Sequence, residues 1–220
     1  MELGALFDWD GVVIDSSKAH EESWCMLAEE IGKPLAEDHF KRGFGRKNQV
    51  IIPEILNWSN DSVEIEKLGN RKEELYREII AEKGVDRIPG VEVFLQQLNE
   101  AGISCAVGSS TPRKNVETIL SMVGFGSYFK AIVCAEDVSQ GKPHPEVFLT
   151  GASQIGCDPA ACAVFEDAYF GLRAAKAGGM KAIALATTHL SSELEAESPD
   201  LILENFLEFN AEKFIGLFER

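Results

Sequence analysis

Six short runs of almost continuous apolar residues, near 3–8, 103–108, 131–134, 162–166, 181–186 and 200–203, constrain this chain more than any other feature. Each is bounded by glycine, proline or polar residues and is short enough for a strand. None shows the alternation that a water-facing side imposes, so each reads as a strand covered on both faces. Helical patterns lie between them. Val91 to Ala101 carries Val93, Phe94, Leu95 and Leu98 ahead of Gly102, and Arg113 to Val123 carries Val116, Ile119, Leu120 and Val123 ahead of Gly124. Both stop at glycine, which accepts the left-handed backbone of a helix terminus. The alternation predicts an α/β fold, a doubly wound, Rossmann-like and mostly parallel sheet, with ligands outside the carboxyl ends of its strands.

Residues 16–86 have another texture, charged and amphipathic with helical spacing and no strand pattern. Ala19 to Ile31 and Ile65 to Lys83 are its clearest helices, with a shorter apolar pattern around Val50 to Leu56. If these helices belonged to the core, the second core strand would be delayed by about 90 residues, far beyond ordinary crossover lengths. The expected division is therefore a core of 1–15 and 87–220 with a helical insertion over 16–86. Ile88-Pro89-Gly90 marks the return to the core, and Phe206 to Phe218 reads as a closing helix over the sheet. A chain of 220 residues that is 45% hydrophobic can bury one such core plus a small accessory domain.

The first run ends in Asp8-Trp9-Asp10-Gly11, two carboxylates on one side of an extended chain before a glycine that lets the backbone turn away. Three further polar clusters follow later runs: Val107-Gly108-Ser109-Ser110-Thr111, Gly141-Lys142-Pro143-His144-Pro145-Glu146 and Val164-Phe165-Glu166-Asp167-Ala168. In this order and spacing they resemble the four motifs of the haloacid dehalogenase-like phosphohydrolases. The helical insertion resembles the cap of the β-phosphoglucomutase-like branch of that family.

The resemblance implies a set of roles. Asp8 would be the nucleophile, already ionised at neutral pH, and would form an aspartyl-phosphate. Asp10 would be the general acid and base, with a pKa raised by its site. Lys142 would pair with the nucleophile and a phosphoryl oxygen, and Ser109 and Ser110, with the N–H groups of their turn, would bind the phosphate. Mg2+ would be held by the Asp8 side chain, the Asp10 backbone carbonyl and Asp167, with Glu166 in the inner or water-mediated shell. Dehalogenases lack the second aspartate and phosphonoacetaldehyde hydrolases carry alanine there. Asp10 therefore points to phosphate esters.

On the insertion, His20 and Trp24 lie one helical turn apart as in β-phosphoglucomutase-like proteins. Gly45-Arg46-Lys47-Asn48 resembles a loop whose arginine grips a second phosphate, and Arg71-Lys72 with Tyr76 resembles a helix with a substrate-facing lysine. His20, Trp24, Arg46 and Lys72 are thus the candidate substrate residues. The second motif runs on through Pro112-Arg113-Lys114-Asn115, one residue longer than in the mutases and closer to phosphatases. Either Arg113 or Lys114 could reach the substrate.

Asp and Glu outnumber Lys and Arg by 36 to 21, a net charge of -15, which argues against nucleic acid or an anionic membrane as partner. The five cysteines form no CxxC pair and read as core thiols of a reducing compartment. No apolar stretch approaches the roughly 20 residues that span a bilayer. The expectation is a cytoplasmic phosphatase of a small phosphorylated metabolite, a sugar phosphate, of open oligomeric state. The alternatives are a hexose-phosphate mutase of the β-phosphoglucomutase type and a non-catalytic sensor of phosphorylated metabolites.

Overall fold

A computed structural model describes residues 2–43 and 45–219. Its strands are β1 (Gly4–Phe7), the two-residue β2 (Ile14–Asp15) and β3 (Asp86–Arg87), then β4 (Ser104–Gly108), β5 (Ala131–Val133), β6 (Cys162–Glu166), β7 (Lys181–Leu185) and β8 (Leu201–Leu203). Six of them form one sheet in the order β5-β4-β1-β6-β7-β8, and every neighbouring pair is parallel. From β1 the chain builds outward through β4 to β5, then crosses back to add β6, β7 and β8. That reversal at β1 is where a doubly wound sheet opens its ligand crevice.

The period of two along each strand sorts the core into two layers. Ala5, Phe7, Cys105, Val107, Ala163 and Phe165 face one side, while Leu6, Ala106, Val164 and Ala182 face the other. The helices are α1 (Ser17–Ile31), α2 (His39–Gly43), α3 (Asn48–Val50), α4 (Ser62–Lys83), α5 (Val91–Glu100), α6 (Arg113–Val123), α7 (Glu146–Ile155), α8 (Tyr169–Ala177), α9 (Ser191–Leu194) and α10 (Ala211–Gly216). α5, α6 and α10 cover the first face, and α7 and α8 the second. The first face is aromatic: Phe7 stacks on Phe165 at 4.8 Å and Phe94 on Phe206 at 5.2 Å, with Phe209 and Phe214 closing the layer.

Helices α1 to α4 leave and return through the antiparallel ribbon β2–β3, in which Ile14 pairs with Arg87 and Asp15 with Asp86. Strands of two residues carry too little pattern to register in the sequence. The helices enclose their own apolar cluster, with Trp24, Leu27, Ile52, Trp58 and Leu75 at its centre. The pattern around Val50 to Leu56 becomes α3 followed by a π turn over Ile51–Ile55. Pro53 has no N–H to donate, and Leu56 N–H reaches back five residues to Ile51 O at 3.0 Å.

The expected closing helix from Phe206 to Phe218 is shorter than the pattern suggested. Only α10 is helical, and Asn210 starts it by accepting the Lys213 N–H at 2.9 Å. Phe206 and Phe209 reach the core from the turn before it. No helix is long and apolar enough to cross a membrane among the described residues.

Phe94 meets five other aromatic rings of this layer and is 1% exposed. Phe94→Ala should lower the unfolding free energy by about 3–5 kcal/mol in chemical denaturation. A loss below about 1 kcal/mol would contradict the aromatic layer as the main support of the sheet.

Candidate active site

The carboxyl ends of β1, β4 and β6 bring Asp8, Ser109, Glu166 and Asp167 together, all buried. The Asp8 N–H continues the ladder to Phe165 O at 2.9 Å, which fixes where its side chain leaves the sheet. Lys142 enters from the loop before α7. Its Nζ lies 2.8 Å from Asp8 Oδ1 and 2.5 Å from Glu166 Oε1, over the Phe148 ring at 4.8 Å. Burial works against the ammonium, but the two carboxylates outweigh it and hold its pKa above the usual lysine value. Burial also pushes Asp8 up to about 7, although Lys142 pulls the other way. Asp8 is therefore not ionised simply by virtue of neutral pH; its charge depends on cations beside it.

Asp8, Glu166 and Asp167 offer oxygens that all lie within 4.8 Å of one another. Glu166 spends Oε1 on Lys142 and Oε2 on the Ala168 N–H at 2.8 Å. Asp167 accepts the Thr188 hydroxyl on Oδ2, whereas its buried Oδ1 has no partner among the described residues. Burial and the neighbouring Glu166 and Asp8 raise Asp167 well above the carboxylate range. Three clustered carboxylates, one ammonium and an open buried oxygen suit a hard divalent cation such as Mg2+. Two glycines make the room. A Cβ on Gly11 would stand 1.9 Å from Asp167 Oδ2, and one on Gly171 only 1.7 Å from Glu166 Oε1.

Asp10 turns elsewhere. Its Oδ1 accepts from Ser16 Oγ at 2.5 Å and from Tyr76 Oη at 3.4 Å, with His20 Nε2 at 3.1 Å, and its Oδ2 accepts from Thr111 Oγ1 at 2.6 Å. Burial alone would raise its pKa. His20 and the two hydroxyls reverse that and hold Asp10 well below the ordinary carboxylate range. The expectation of a raised pKa at Asp10 is thus overturned: the elevated carboxyls are Asp8 and Asp167. The Asp10 side chain also stands outside the acidic cluster.

In the second motif, Ser109 N–H is spent on Val133 O at 2.9 Å and Ser109 Oγ accepts the Thr111 N–H at 3.0 Å. Those two N–H groups are therefore paired within the protein. Ser109 and Ser110 both line a cleft whose floor includes Asp8 and Asp10 and whose roof includes His20, Trp24, Arg46 and Lys72.

The roof residues are mostly engaged with one another. His20 stacks on Tyr76 at 4.0 Å, and Lys72 Nζ lies 2.6 Å from His20 Nδ1 and 3.2 Å from Glu73 Oε1. Arg46 pairs with Glu54 at 3.0 Å and lies 5.0 Å over Phe170 of α8. Arg71 faces solvent and binds Glu30, Glu74 and Glu78. Neither Arg113 nor Lys114 lines the cleft: Arg113 Nη2 is held by Asp137 at 2.5 Å, and Lys114 is exposed. The next residue, Asn115, crosses to the insertion instead, donating to Glu73 Oε2 at 2.5 Å and accepting from Arg77 at 2.6 Å.

Sequence reading missed several of these partners. Thr111 and the Thr187-Thr188 pair are polar residues just past an apolar run, the same signal that flagged Asp8 and Glu166. Thr187 Oγ1 donates to Gly11 O at 2.5 Å. Ser16 follows the first motif directly. Glu73, Asn115 and Lys47 sit among charged residues and had no such signal. Lys47 Nζ crosses from the insertion to Ala135 O at 2.7 Å and Val138 O at 2.9 Å, and its stem lies against Gly141 beside Lys142.

Two outcomes follow from this geometry. Mg2+ needs ionised ligands, and Asp8 and Asp167 are raised, so binding below about pH 7 must displace protons. Calorimetry in buffers of different ionisation enthalpy should show proton release and an affinity that falls as pH drops; Asp167→Asn should bind far more weakly. Proton-neutral binding, or unchanged affinity in that variant, would place the cation elsewhere. Lys47→Met keeps the stem and removes the ammonium, so amide exchange over 135–141 should accelerate. Unchanged exchange would mean that Lys47 does not fasten this loop.

Comparison with known proteins places this geometry. The profile of the haloacid dehalogenase-like hydrolases matches residues 5–185. A chloroplastic 5-amino-6-(5-phospho-D-ribitylamino)uracil phosphatase of Arabidopsis thaliana is 37% identical over 88% of this chain, which spans about half (52%) of that protein's length. The β-phosphoglucomutase of Bacillus subtilis (strain 168) is 32% identical, with 90% of this chain and 91% of that enzyme covered. Among solved structures, a HAD hydrolase, family IA, variant 3, from Entamoeba histolytica superposes with a TM-score of 0.90 at 28% identity, covering 100% of both chains. With the profile match spanning most of its length, the chain belongs to the haloacid dehalogenase-like hydrolase family.

Proposed function

We propose that the protein is a magnesium-dependent phosphatase that hydrolyses a small phosphorylated metabolite, a sugar phosphate, through an aspartyl-phosphate on Asp8. Residues 16–86 act as a cap over residues 1–15 and 87–220. That the chain is a phosphoric monoester hydrolase rests on its family and its phosphatase relative. The metal, the intermediate and the sugar are the proposal. The observation that carries it is the buried Lys142 set between Asp8 and Glu166, beside the open oxygen of Asp167, with Asp8 itself lining the cleft.

In the first half-reaction an Asp8 oxygen attacks phosphorus, the bond to the leaving alkoxide breaks, and Asp10 gives that oxygen its proton. In the second, water attacks the same phosphorus, Asp10 takes the proton of the water, and inorganic phosphate leaves with Asp8 restored. Lys142 faces both Asp8 and the incoming phosphate, and its charge favours the ionised nucleophile and the developing phosphoryl charge. Asp8 and Asp167, with Glu166 beside them, would hold Mg2+, which would supply charge neutralisation. The anionic Asp10 of this closed arrangement is the form that accepts a proton from water. Loading it with a proton for the first half-reaction requires loosening its donor set, and two members, His20 and Tyr76, ride on α1 and α4.

A mutase would use the same floor and return the phosphoryl group to a sugar; the similarity to the Bacillus subtilis enzyme supports keeping that second reading. A sensor would need neither the nucleophile nor the acid. Five free thiols support a reducing, cytoplasmic setting, and the net charge of -15 speaks against a nucleic acid partner.

The test is phosphate release with and without Mg2+ across sugar phosphates, polyol phosphates, nucleotides, phosphoglycolate and pyrophosphate, with β-glucose 1-phosphate also scored for glucose 6-phosphate. Magnesium-dependent release from one class is expected; isomerisation without release would select the mutase. Asp8→Asn should abolish turnover, and Asp10→Asn should lower kcat by about 10²–10⁴-fold while Mg2+ binding persists. Full activity in Asp8→Asn would remove the mechanism.

A further inference from the structure

We infer that the roof of the cleft carries an acceptor subsite at His39 for a hydroxyl of the leaving group, and that this end of the cleft excludes a second phosphate. The inference rests on the phosphatase reading above and specifies its substrate class.

His39 opens α2 and lines the same cleft as Asp8 and Asp10. It is 5% exposed. Its Nδ1 lies 2.6 Å from Ala36 O. A carbonyl can only accept, so Nδ1 carries the hydrogen and Nε2 of the neutral ring presents a lone pair. That Nε2 is buried and has no partner among the described residues. A buried acceptor left empty costs free energy, and native proteins rarely keep one without a use. On the wall of a substrate cleft, the group that fills it is a donor on the ligand.

The charges around it say which donor. Each roof cation is opposed by a carboxylate: Arg46 by Glu54 at 3.0 Å, and Lys72 by Glu73 at 3.2 Å. Glu73 is itself buried in the wall, accepting from Asn48 at 2.7 Å and Asn115 at 2.5 Å. A second phosphate would bring about two negative charges against that carboxylate, with no unopposed roof cation among the described residues to receive them. A hydroxyl brings none and can donate to Nε2. The alcohol part of the substrate is thus hydroxylated and uncharged at its far end.

Three esters of equal chain length separate these features: sorbitol 6-phosphate, hexyl phosphate, which lacks the hydroxyls, and sorbitol 1,6-bisphosphate. With Mg2+ present, the wild-type protein should show a kcat/KM for sorbitol 6-phosphate at least about tenfold above each of the others. His39→Leu should cut the preference over hexyl phosphate by about tenfold, mainly through KM. His39→Gln, which keeps an acceptor, should retain most of it. Equal kcat/KM for sorbitol and hexyl phosphates, a preference for the bisphosphate, or a preference untouched in His39→Leu would each overturn the inference. The wild-type comparison decides the matter even if the leucine variant fails to fold. Failure of all three esters while another phosphate ester is hydrolysed overturns the inference alone; failure of every ester overturns the phosphatase reading with it.

Discussion

One buried ammonium holds the site together. Lys142 bridges Asp8 and Glu166, each almost wholly removed from water, and a third carboxylate, Asp167, stands beside them with an oxygen unmet among the described residues. Three carboxyl groups share one cation in a low-dielectric interior, which pushes Asp8 and Asp167 toward their protonated forms, and buried ion pairs of this kind rarely stabilise a fold. The arrangement makes sense as a receptacle that a divalent cation and a phosphoryl group complete. Stability comes from elsewhere, from the aromatic layer of Phe7, Phe94, Phe165 and Phe206 beneath the same strands. The sheet therefore holds at its carboxyl edge a charge distribution that would not hold itself.

The global field of the chain is repulsive to phosphate, with a net charge of -15. Attraction has to be local. On the floor it comes from Lys142. On the roof the cations are each opposed by carboxylates, and Glu73 lies inside the wall itself. The cleft is thus polarised, with its capacity for charge at the sheet edge and neutral hydrogen-bonding capacity beneath the helices. The helices also reach the floor directly: His20 and Tyr76 contact Asp10, Asn115 is tied to Glu73, and Lys47 grips the carbonyls of the loop leading to Lys142. Any motion of these helices is felt by both Asp10 and the loop that carries Lys142.

The strands and the motif carboxylates were legible in the sequence because their signals are local. A strand buried on both faces must be a continuous apolar run, and a polar residue straight after it marks the sheet edge, so β1, β4 and β6 announced Asp8, Ser109 and Glu166. The state of Asp10 was not legible. Its protonation is set by burial, by His20 and Ser16, and by Thr111 from 101 positions away, contacts that exist only once the chain is folded. The same holds for Asn115 on Glu73. The C-terminal pattern misled for another reason: Phe206 and Phe209 fall at helical spacing, but Asn210 starts the helix after them.

The central claim is that Asp8, with its charge set by Lys142, becomes covalently phosphorylated. Acid quenching during turnover of a hydrolysed ester, followed by peptide mass mapping, tests it most directly. The account predicts a phosphoryl mass increment on the peptide containing Asp8, present only while substrate remains and absent from Asp8→Asn. Rapid turnover with no increment on that peptide, or an increment on another residue, would contradict it.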